Sequence, residues 1–221
     1  MTDLTAQAEQ IAHFSAVLLR GAVTAVEITL GALLVAILSG LLVALVKSSR
    51  SRLARAVADV YIEVFRGIPP LAQLFIIYFG LTYVGVELSS ITAAIVGLGL
   101  NGGAVLGEVF LSGVAALHYG QREAALAVGL TPLKSMRFII LPQALRITLP
   151  PLTNYAINLL KETSIVAAIA APEIMFYARN LTTETFQTAT IYLLAAILYF
   201  MLCFPLNRLA SRLERARAAW R

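Results

Sequence analysis

Long uncharged apolar stretches limit the fold of this chain more than any other feature of its sequence. A helix needs about 20 apolar residues to cross the hydrocarbon core of a bilayer. Four runs of that length contain no Asp, Glu, Lys or Arg: Ile28–Val46, Gly67–Val86, Leu88–Gly107 and Phe186–Leu206. Because lipid offers no hydrogen-bond partners to an open backbone, such runs cross as helices. The sequence therefore predicts an all-α, polytopic membrane protein.

A fifth span is predicted from Ile147 to Ala171, where Lys161 and Glu162 are the only charged residues. The composition agrees with five spans. Of the 221 residues, 59% are hydrophobic and 13% are charged, against roughly 45–50% and 25% in soluble domains. These values exclude a soluble globular domain and a nucleic-acid-binding domain with a broad basic surface.

The distribution of Lys and Arg predicts an orientation, because these residues collect on the cytoplasmic side of membrane proteins. Fourteen of the 17 lie in residues 47–66, 108–146 and 207–221, whereas the opposite side holds Arg20 and Arg179. We therefore expect residues 1–20 to form an external N-terminal segment and residues 211–221 a basic cytoplasmic tail. Residues 21–210 form the predicted transmembrane domain.

Small residues recur every four positions on two of the predicted spans. This spacing lets helices approach closely in lipid, where packing drives their association. The first span carries Ala32, Ala36, Gly40 and Ala44, and the third carries Gly99, Gly103 and Gly107. We expect both stripes to be helix contact faces.

Polar residues occur inside two spans, where they must face protein or water because a charge at the bilayer centre costs about 2.5–3.5 kcal/mol. Asn154, Asn158 and Glu162 follow at steps of four and form one stripe on the fourth span, and Asn101 marks the third. Two interpretations stay open. These residues make hydrogen bonds between helices, or they line the path of a charged or zwitterionic solute.

The longest predicted cytoplasmic loop, residues 118–142, has the pattern of two short helices. Gln121–Val128 predicts the first, which Gly129 ends in a left-handed cap. Thr131 and Pro132 begin the second helix as its cap and first residue. We expect Leu141–Pro142 to end it, since the residue before a proline is biased away from helix.

Leu126, Leu130 and Leu133 give this loop an apolar ridge. An apolar ridge on a cytoplasmic loop needs a cover. Either the two helices lie on the lipid headgroups, or the ridge is a docking surface for a cytoplasmic partner.

Three segments resemble the permease subunits of bacterial ABC importers for polar amino acids, the histidine and glutamine permease type. The run Gly120-Gln121-Arg122-Glu123-Ala124-Ala125, with Gly129 and Ile140-Leu141-Pro142-Gln143-Ala144, resembles the EAA loop of that family. Arg66-Gly67-Ile68-Pro69 resembles its Arg-Gly-x-Pro segment, and Leu159-Leu160-Lys161-Glu162-Thr163-Ser164 resembles its Leu-Leu-Lys-Asp/Glu-Thr-Ser segment. The resemblance covers roughly residues 20 to 210.

This resemblance implies the five-helix transmembrane fold of type I ABC importers, in a bacterial inner (cell) membrane. It implies three kinds of protein partner: a second permease subunit, identical or homologous, two cytoplasmic ATP-binding subunits, and a periplasmic or extracellular solute-binding protein. In the family, the loop glutamate, alanines and glycine seat in a cleft of the ATPase. The corresponding residues here are Glu123, Ala124, Ala125 and Gly129.

The sequence departs from the family pattern after the third span. Many members have Ala-Glu-x-x-Arg-Gly-Gly there, whereas Leu111 stands here in the place of the arginine that follows Glu108. We therefore expect Glu108 to need another partner, such as a second subunit.

We expect a permease subunit that translocates a polar amino acid or a related small polar solute. It is not expected to be an enzyme, because no glycine is followed by lysine and a phosphate-binding Walker loop is therefore absent. No metal or other cofactor is expected, since His13 and His118 lack nearby Cys or Asp clusters. The alternative is a self-sufficient secondary transporter or channel, which five spans without an evident inverted repeat make less favourable.

Overall fold

The computed structural model describes the backbone of residues 2–218 and the side chains of residues 5–215. All regular secondary structure in that part of the chain is helical. The α-helices are α1 (Thr2–Lys47), α2 (Arg52–Gly67), α3 (Pro70–Phe75), α4 (Ser90–Ala115), α5 (Tyr119–Ala127), α6 (Pro132–Ser135), α7 (Leu141–Glu162), α8 (Ile174–Thr185) and α9 (Thr188–Ala218). Two π-helical segments, Ile76–Gly80 and Met136–Ile140, and two 3₁₀ segments, Leu81–Val84 and Thr163–Ile169, extend them.

The first helix is much longer than the predicted span Ile28–Val46. α1 runs without a break from Thr2 to Lys47, so residues 2–20 continue the helix that forms the span. At the other end of the chain, the side chains of Arg217 and Arg221 in the predicted basic tail lie outside the described residues.

Three described helical segments are long and apolar enough to cross a bilayer: Thr5–Lys47, Ser90–Ala115 and Thr188–Arg215. A bent pair, Arg52–Gly67 with Pro70–Val84, adds a fourth when it is taken as one span. α7 and its 3₁₀ extension cover residues 147–169 of the predicted span Ile147–Ala171, which is the fourth in chain order. That five helices cross the membrane stays a prediction.

The bend in the second span is sharp, with 105° between its two arms. It occurs at Ile68 and Pro69, where Ile68 is extended with φ −101° and ψ 132°. Pro69 has no N–H and therefore cannot donate to the carbonyl of Phe65, as residue i+4 of a helix would. The regular helix restarts at Pro70, three residues after the predicted start at Gly67.

α1 and α4 pack along the two predicted stripes of small residues. Ala32 and Ala36 are fully buried. A Cβ added at any of three glycines of α4 would come closer than 3 Å to an α1 side chain; these contacts are Gly99 with Val35, Gly103 with Ser39 and Gly107 with Val43. The prediction that both stripes are contact faces is confirmed.

The prediction that Leu141–Pro142 ends the second loop helix is wrong. α6 continues through the π-helical segment Met136–Ile140 into α7. Leu141 keeps helical angles, with φ −61° and ψ −44°, and donates to the carbonyl of Met136 five residues back. The wide π turn just before Pro142 gives room to a ring that would otherwise press on a carbonyl one turn earlier. The loop is therefore joined rigidly to α7.

A buried carboxylate fixes the start of α8. Glu173 is fully buried, and its side chain accepts hydrogen bonds from the N–H of Phe176 at 2.8 Å and the hydroxyl of Tyr199 at 2.6 Å. Burial raises the pKa of the Glu173 carboxyl, against these hydrogen bonds, which lower it. Gly21 of α1 packs against the same point, since a Cβ there would lie 2.6 Å from the Glu173 carbonyl carbon.

Candidate functional site

The loop predicted to couple to a partner forms a compact helical hairpin, here the coupling hairpin, consisting of α5, Gly129 and α6. Gly129 has φ +83°, in the left-handed region, as its position predicts. Its N–H donates to Leu126, and the N–H of Leu130 donates to Ala125. These are the two bonds of a Schellman motif, which satisfy carbonyls at the end of α5.

The second helix of the hairpin begins as its sequence predicts. The Thr131 hydroxyl accepts from the N–H of Lys134, and Pro132 occupies the first turn, where a missing N–H costs nothing. Three consecutive residues therefore define the turn between α5 and α6. Gly129 ends α5, the N–H of Leu130 completes the Schellman motif, and Thr131 caps α6.

The coupling hairpin presents apolar side chains to its surroundings. Leu126 and Leu133 of the predicted ridge are exposed, the latter by 77%, and Val128 beside them is also 77% exposed. Of the four residues carried over from the family, Glu123, Ala124 and Gly129 are exposed. Ala125 is only 4% exposed, because it lies on the inner face of α5, which packs against the Met136–Ile140 segment.

The polar stripe of α7 lies on an outer face of the chain. Asn154 and Asn158 are exposed and Glu162 is half-buried, whereas Ile157 and Leu159 between them are buried. Asn154 donates to Glu214 of α9 across 3.0 Å. The stripe is therefore available to a solute or to another subunit along most of its length.

Asn101 lies apart from that stripe. Its side-chain amide donates to the carbonyl of Phe65 at 2.7 Å and to Gln73 at 3.3 Å. Gln73 is 5% exposed and donates to Phe65 and Ile68 at 2.8 and 2.6 Å. These two amides satisfy the carbonyls of Phe65 and Ile68, which the bend leaves without a helical donor. Asn101 therefore makes hydrogen bonds between helices, the first of the two interpretations given above.

Glu108 has another partner, as expected, but this partner lies within the chain and not on a second subunit. Arg66 Nη1, at the end of α2, donates to Glu108 Oε2 on α4. A second ion pair, between Lys47 and Asp59 at 2.5 Å, joins α1 to α2. Both ion pairs depend on the angle at which α2 lies against its neighbours. The residues next to Glu108 in the sequence do not indicate that angle.

The structure thus separates the predicted site residues into three places. Asn154, Asn158 and Glu162 share one face of α7, Asn101 belongs to the bend, and the four family residues belong to the coupling hairpin. Sequence reasoning missed Gln73, Glu173 and the role of Arg66. A glutamine and a glutamate between apolar residues were the available signals for the first two.

Residues 15–218 match the family described as binding-protein-dependent transport system inner membrane component. The chain is 42% identical over 164 residues to a probable amino-acid ABC transporter permease protein, YckA, of Bacillus subtilis (strain 168), covering 74% of this chain and 73% of the relative. It is 34% identical over 199 residues to a putative glutamine transport system permease protein, GlnP, of Rickettsia bellii (strain RML369-C), covering 90% and 91%. It is 33% identical over 191 residues to the L-cystine transport system permease protein TcyB of Bacillus subtilis, covering 86% and 82%.

A solved amino acid ABC transporter, crystallised with histidines, contains a similar chain: the TM-score is 0.88 at 33% identity, over 94% of this chain and 97% of that one. A chain of the MetNI methionine ABC transporter matches with a TM-score of 0.69 at 22% identity, over 89% and 96%, which shows a shared fold. The predicted all-helical transmembrane fold of ABC importers is confirmed.

These matches give no support to the alternative of a self-sufficient secondary transporter or channel. Members of this family work with ATPase and substrate-binding partners and are not themselves enzymes. With a family match over 204 of 221 residues, the chain belongs to the binding-protein-dependent transport system inner membrane components, as the permease subunit of an ABC importer whose ATPase is a separate chain.

Proposed function

We propose that this permease subunit of an amino-acid ABC importer carries a polar amino acid, or a related small polar solute, across the inner membrane. The observation that supports a polar solute is the stripe of Asn154, Asn158 and Glu162. It lies on an outer face of α7, in a chain whose family works in the membrane. Such groups can replace the water that a zwitterion loses on entering the path. The names of the relatives, which include glutamine and L-cystine permeases, agree with this class of solute.

The coupling hairpin would dock into a separate cytoplasmic ATPase through the exposed ridge and Glu123, Ala124 and Gly129, with Ala125 holding α5 in place from within. We favour this partner over the headgroup region because the chain belongs to a family whose ATPase is a separate subunit. α6 is continuous with α7. A displacement of the hairpin by the ATPase would therefore rotate α7 as a rigid body and move the polar stripe on it.

The working complex would contain a second permease subunit, identical or homologous, two ATP-binding subunits and an external solute-binding protein. The N-terminus would be external and the C-terminus cytoplasmic, as the distribution of Lys and Arg predicts. A reporter fused after Arg221 should then be cytoplasmic, and one inserted at Glu87 external. External access to residues 121–140 would contradict this orientation.

Uptake into proteoliposomes tests the function. The permease, reconstituted with its ATPase and binding protein, should accumulate radiolabelled L-glutamine, L-arginine or L-cystine only with ATP. Collapsing the proton gradient should leave uptake unchanged. Uptake that needs the gradient and continues without ATP would support a secondary transporter instead, and no ATP-dependent uptake of any amino acid would refute the proposal.

A further inference from the structure

The ion pair between Arg66 and Glu108 lies where two spans reach the predicted cytoplasmic boundary. Arg66 directly precedes the predicted second span, and Glu108 directly follows the third. The two side chains remain 50% and 45% exposed. An ion pair with this exposure contributes only about 0–1 kcal/mol to stability, so a charged ligand could separate the two groups at little cost.

Arg66 lines two cavities. One, of about 430 Å³, is lined by Arg66 and Glu108 together with Lys47, Asp59 and Glu63. The other, of about 360 Å³, is lined by the bend from Phe65 to Pro70, which includes Arg66, and by Asn101 and Val105. Both volumes fall in the range of small-molecule sites, about 300–1,000 Å³.

The bend gives a physical reason for a cavity at this place. Non-helical backbone at membrane depth is tolerated where it is buried in protein or lines a water-filled space. Here the freed carbonyls of Phe65 and Ile68 are held by Gln73 and Asn101. The bend is therefore held by side-chain hydrogen bonds, and Arg66 beside it lines both cavities.

We propose that Arg66 and Glu108 form a site for the two backbone charges of an amino acid as it leaves the path toward the cytoplasm. This inference rests on the proposed function and names the residues that recognise the solute. The Arg66 guanidinium would bind the α-carboxylate through paired hydrogen bonds. The Glu108 carboxylate would accept hydrogen bonds from the α-ammonium group.

A zwitterion fits this pair because it carries both opposite charges on one carbon. Inserted between Arg66 and Glu108, it replaces one ion pair by two and leaves the net charge of the site unchanged. The contacts involve only groups that all α-amino acids share. The site would accordingly recognise amino acids as a class, while other residues distinguish their side chains.

Arg55 provides a matched control. It lies on the same helix as Arg66, it is exposed, and it lines neither of the two cavities. If Arg66 and Glu108 merely tie α2 in place, an ion pair of reversed direction should serve as well as the original one.

Binding of amino-acid analogues separates the two roles. The permease–ATPase complex without binding protein, in nanodiscs, is incubated with radiolabelled L-glutamine, L-arginine or L-cystine. Unlabelled free amino acid should displace the label about tenfold better than its α-carboxamide, which lacks the carboxylate. R66Q should remove that preference, and R55Q should keep it. Absence of displaceable binding in the wild type, or an unchanged preference in R66Q, overturns the proposal.

Charge reversal adds a transport measurement. R66Q and E108Q should lower ATP-dependent uptake about tenfold or more while the complex still assembles. R66E/E108R restores an ion pair but reverses its direction, so an amino acid delivered in one orientation should still be transported poorly. Recovery of uptake in R66E/E108R, or an equal loss in R55Q, overturns the proposal. Wild-type complex that takes up no amino acid would instead refute the proposed function.

Discussion

The side-chain amide of Asn101 donates a 2.7 Å hydrogen bond to the backbone carbonyl of Phe65, 36 residues earlier in the chain. In an unbroken helix that carbonyl would accept from residue 69, but Pro69 has no N–H. α4 therefore supplies a second side-chain donor to this carbonyl, beside that of Gln73 on α3. A polar residue in a span serves here to stabilise a break in a neighbouring helix.

Replacing Asn101 with leucine should destabilise the protein by about 0.5–1.5 kcal/mol, because it removes one of the two side-chain donors to the Phe65 carbonyl. Thermal unfolding of the purified complex in detergent measures the loss. Asn158→Leu is the matched control, since Asn158 is exposed. Equal stability of the two variants would show that the amide of Gln73 alone satisfies the bend.

The contact of Gly21 with Glu173 predicts a strong dependence on residue size. Gly21→Ala would place a Cβ 2.6 Å from backbone atoms of Glu173, and backbone cannot move aside as a side-chain end can. We expect a loss of about 1–3 kcal/mol. At Gly67, a Cβ meets nothing within 4 Å, so Gly67→Ala should leave the melting temperature nearly unchanged. Similar melting temperatures for both variants would contradict this packing.

Tyr199→Phe should destabilise the packing of α8 against α9 by about 1–3 kcal/mol, since it leaves one oxygen of the buried Glu173 carboxylate without its hydroxyl donor. Tyr83→Phe removes the same atom from a side chain that is 92% exposed and should have no effect. Limited proteolysis between α7 and α9 should be faster only in the first variant. Unchanged proteolysis in Tyr199→Phe would show that the phenol hydroxyl does not hold α8.

Local features of the chain could be predicted because their causes lie within a few residues. The left-handed Gly129, the Thr131 cap and the i, i+4 glycines of α4 each follow from backbone geometry or helix spacing. They appear in the structure where the sequence places them.

Features that depend on the angle between helices could not be predicted in this way. Arg66, the partner of Glu108, is 42 residues away in the sequence. It reaches Glu108 because α2 and the helical arm from Pro70 to Val84 meet at 105°. The prediction that the helix ends at Pro142 failed because the π-helical segment Met136–Ile140 makes room for the proline ring, so the helix continues. The burial of Glu173 could not be predicted, because its hydroxyl partner, Tyr199, lies 26 residues later on another helix.

Alanine at Asn158 tests the polar stripe as a solute path. Its side chain is exposed and faces the same way as Asn154 and Glu162, so its loss should reduce uptake while the amount and stability of the complex stay the same. We expect a reduction of about threefold to tenfold, the effect of one neutral hydrogen bond. Thr153→Ala, which alters a side chain bonded to its own helix at Leu149, is the control. Parallel losses of stability and uptake in Asn158→Ala would favour the interhelical interpretation.

Substitutions at Gly129 test the coupling hairpin, because a Cβ there meets nothing within 4 Å and only the backbone angle φ +83° is costly. Alanine in the left-handed region costs about 1–2 kcal/mol, whereas asparagine tolerates it. Gly129→Ala should therefore weaken ATPase capture and transport-coupled ATP hydrolysis several-fold, and Gly129→Asn should affect both less. Gly129→Asp adds a charge beside the apolar ridge and should impair both most. The amount of permease in membranes should be near normal in all three, since the apolar spans do not depend on this turn. Normal ATPase capture and transport in Gly129→Asp would instead favour the interpretation that the hairpin lies on the lipid headgroups.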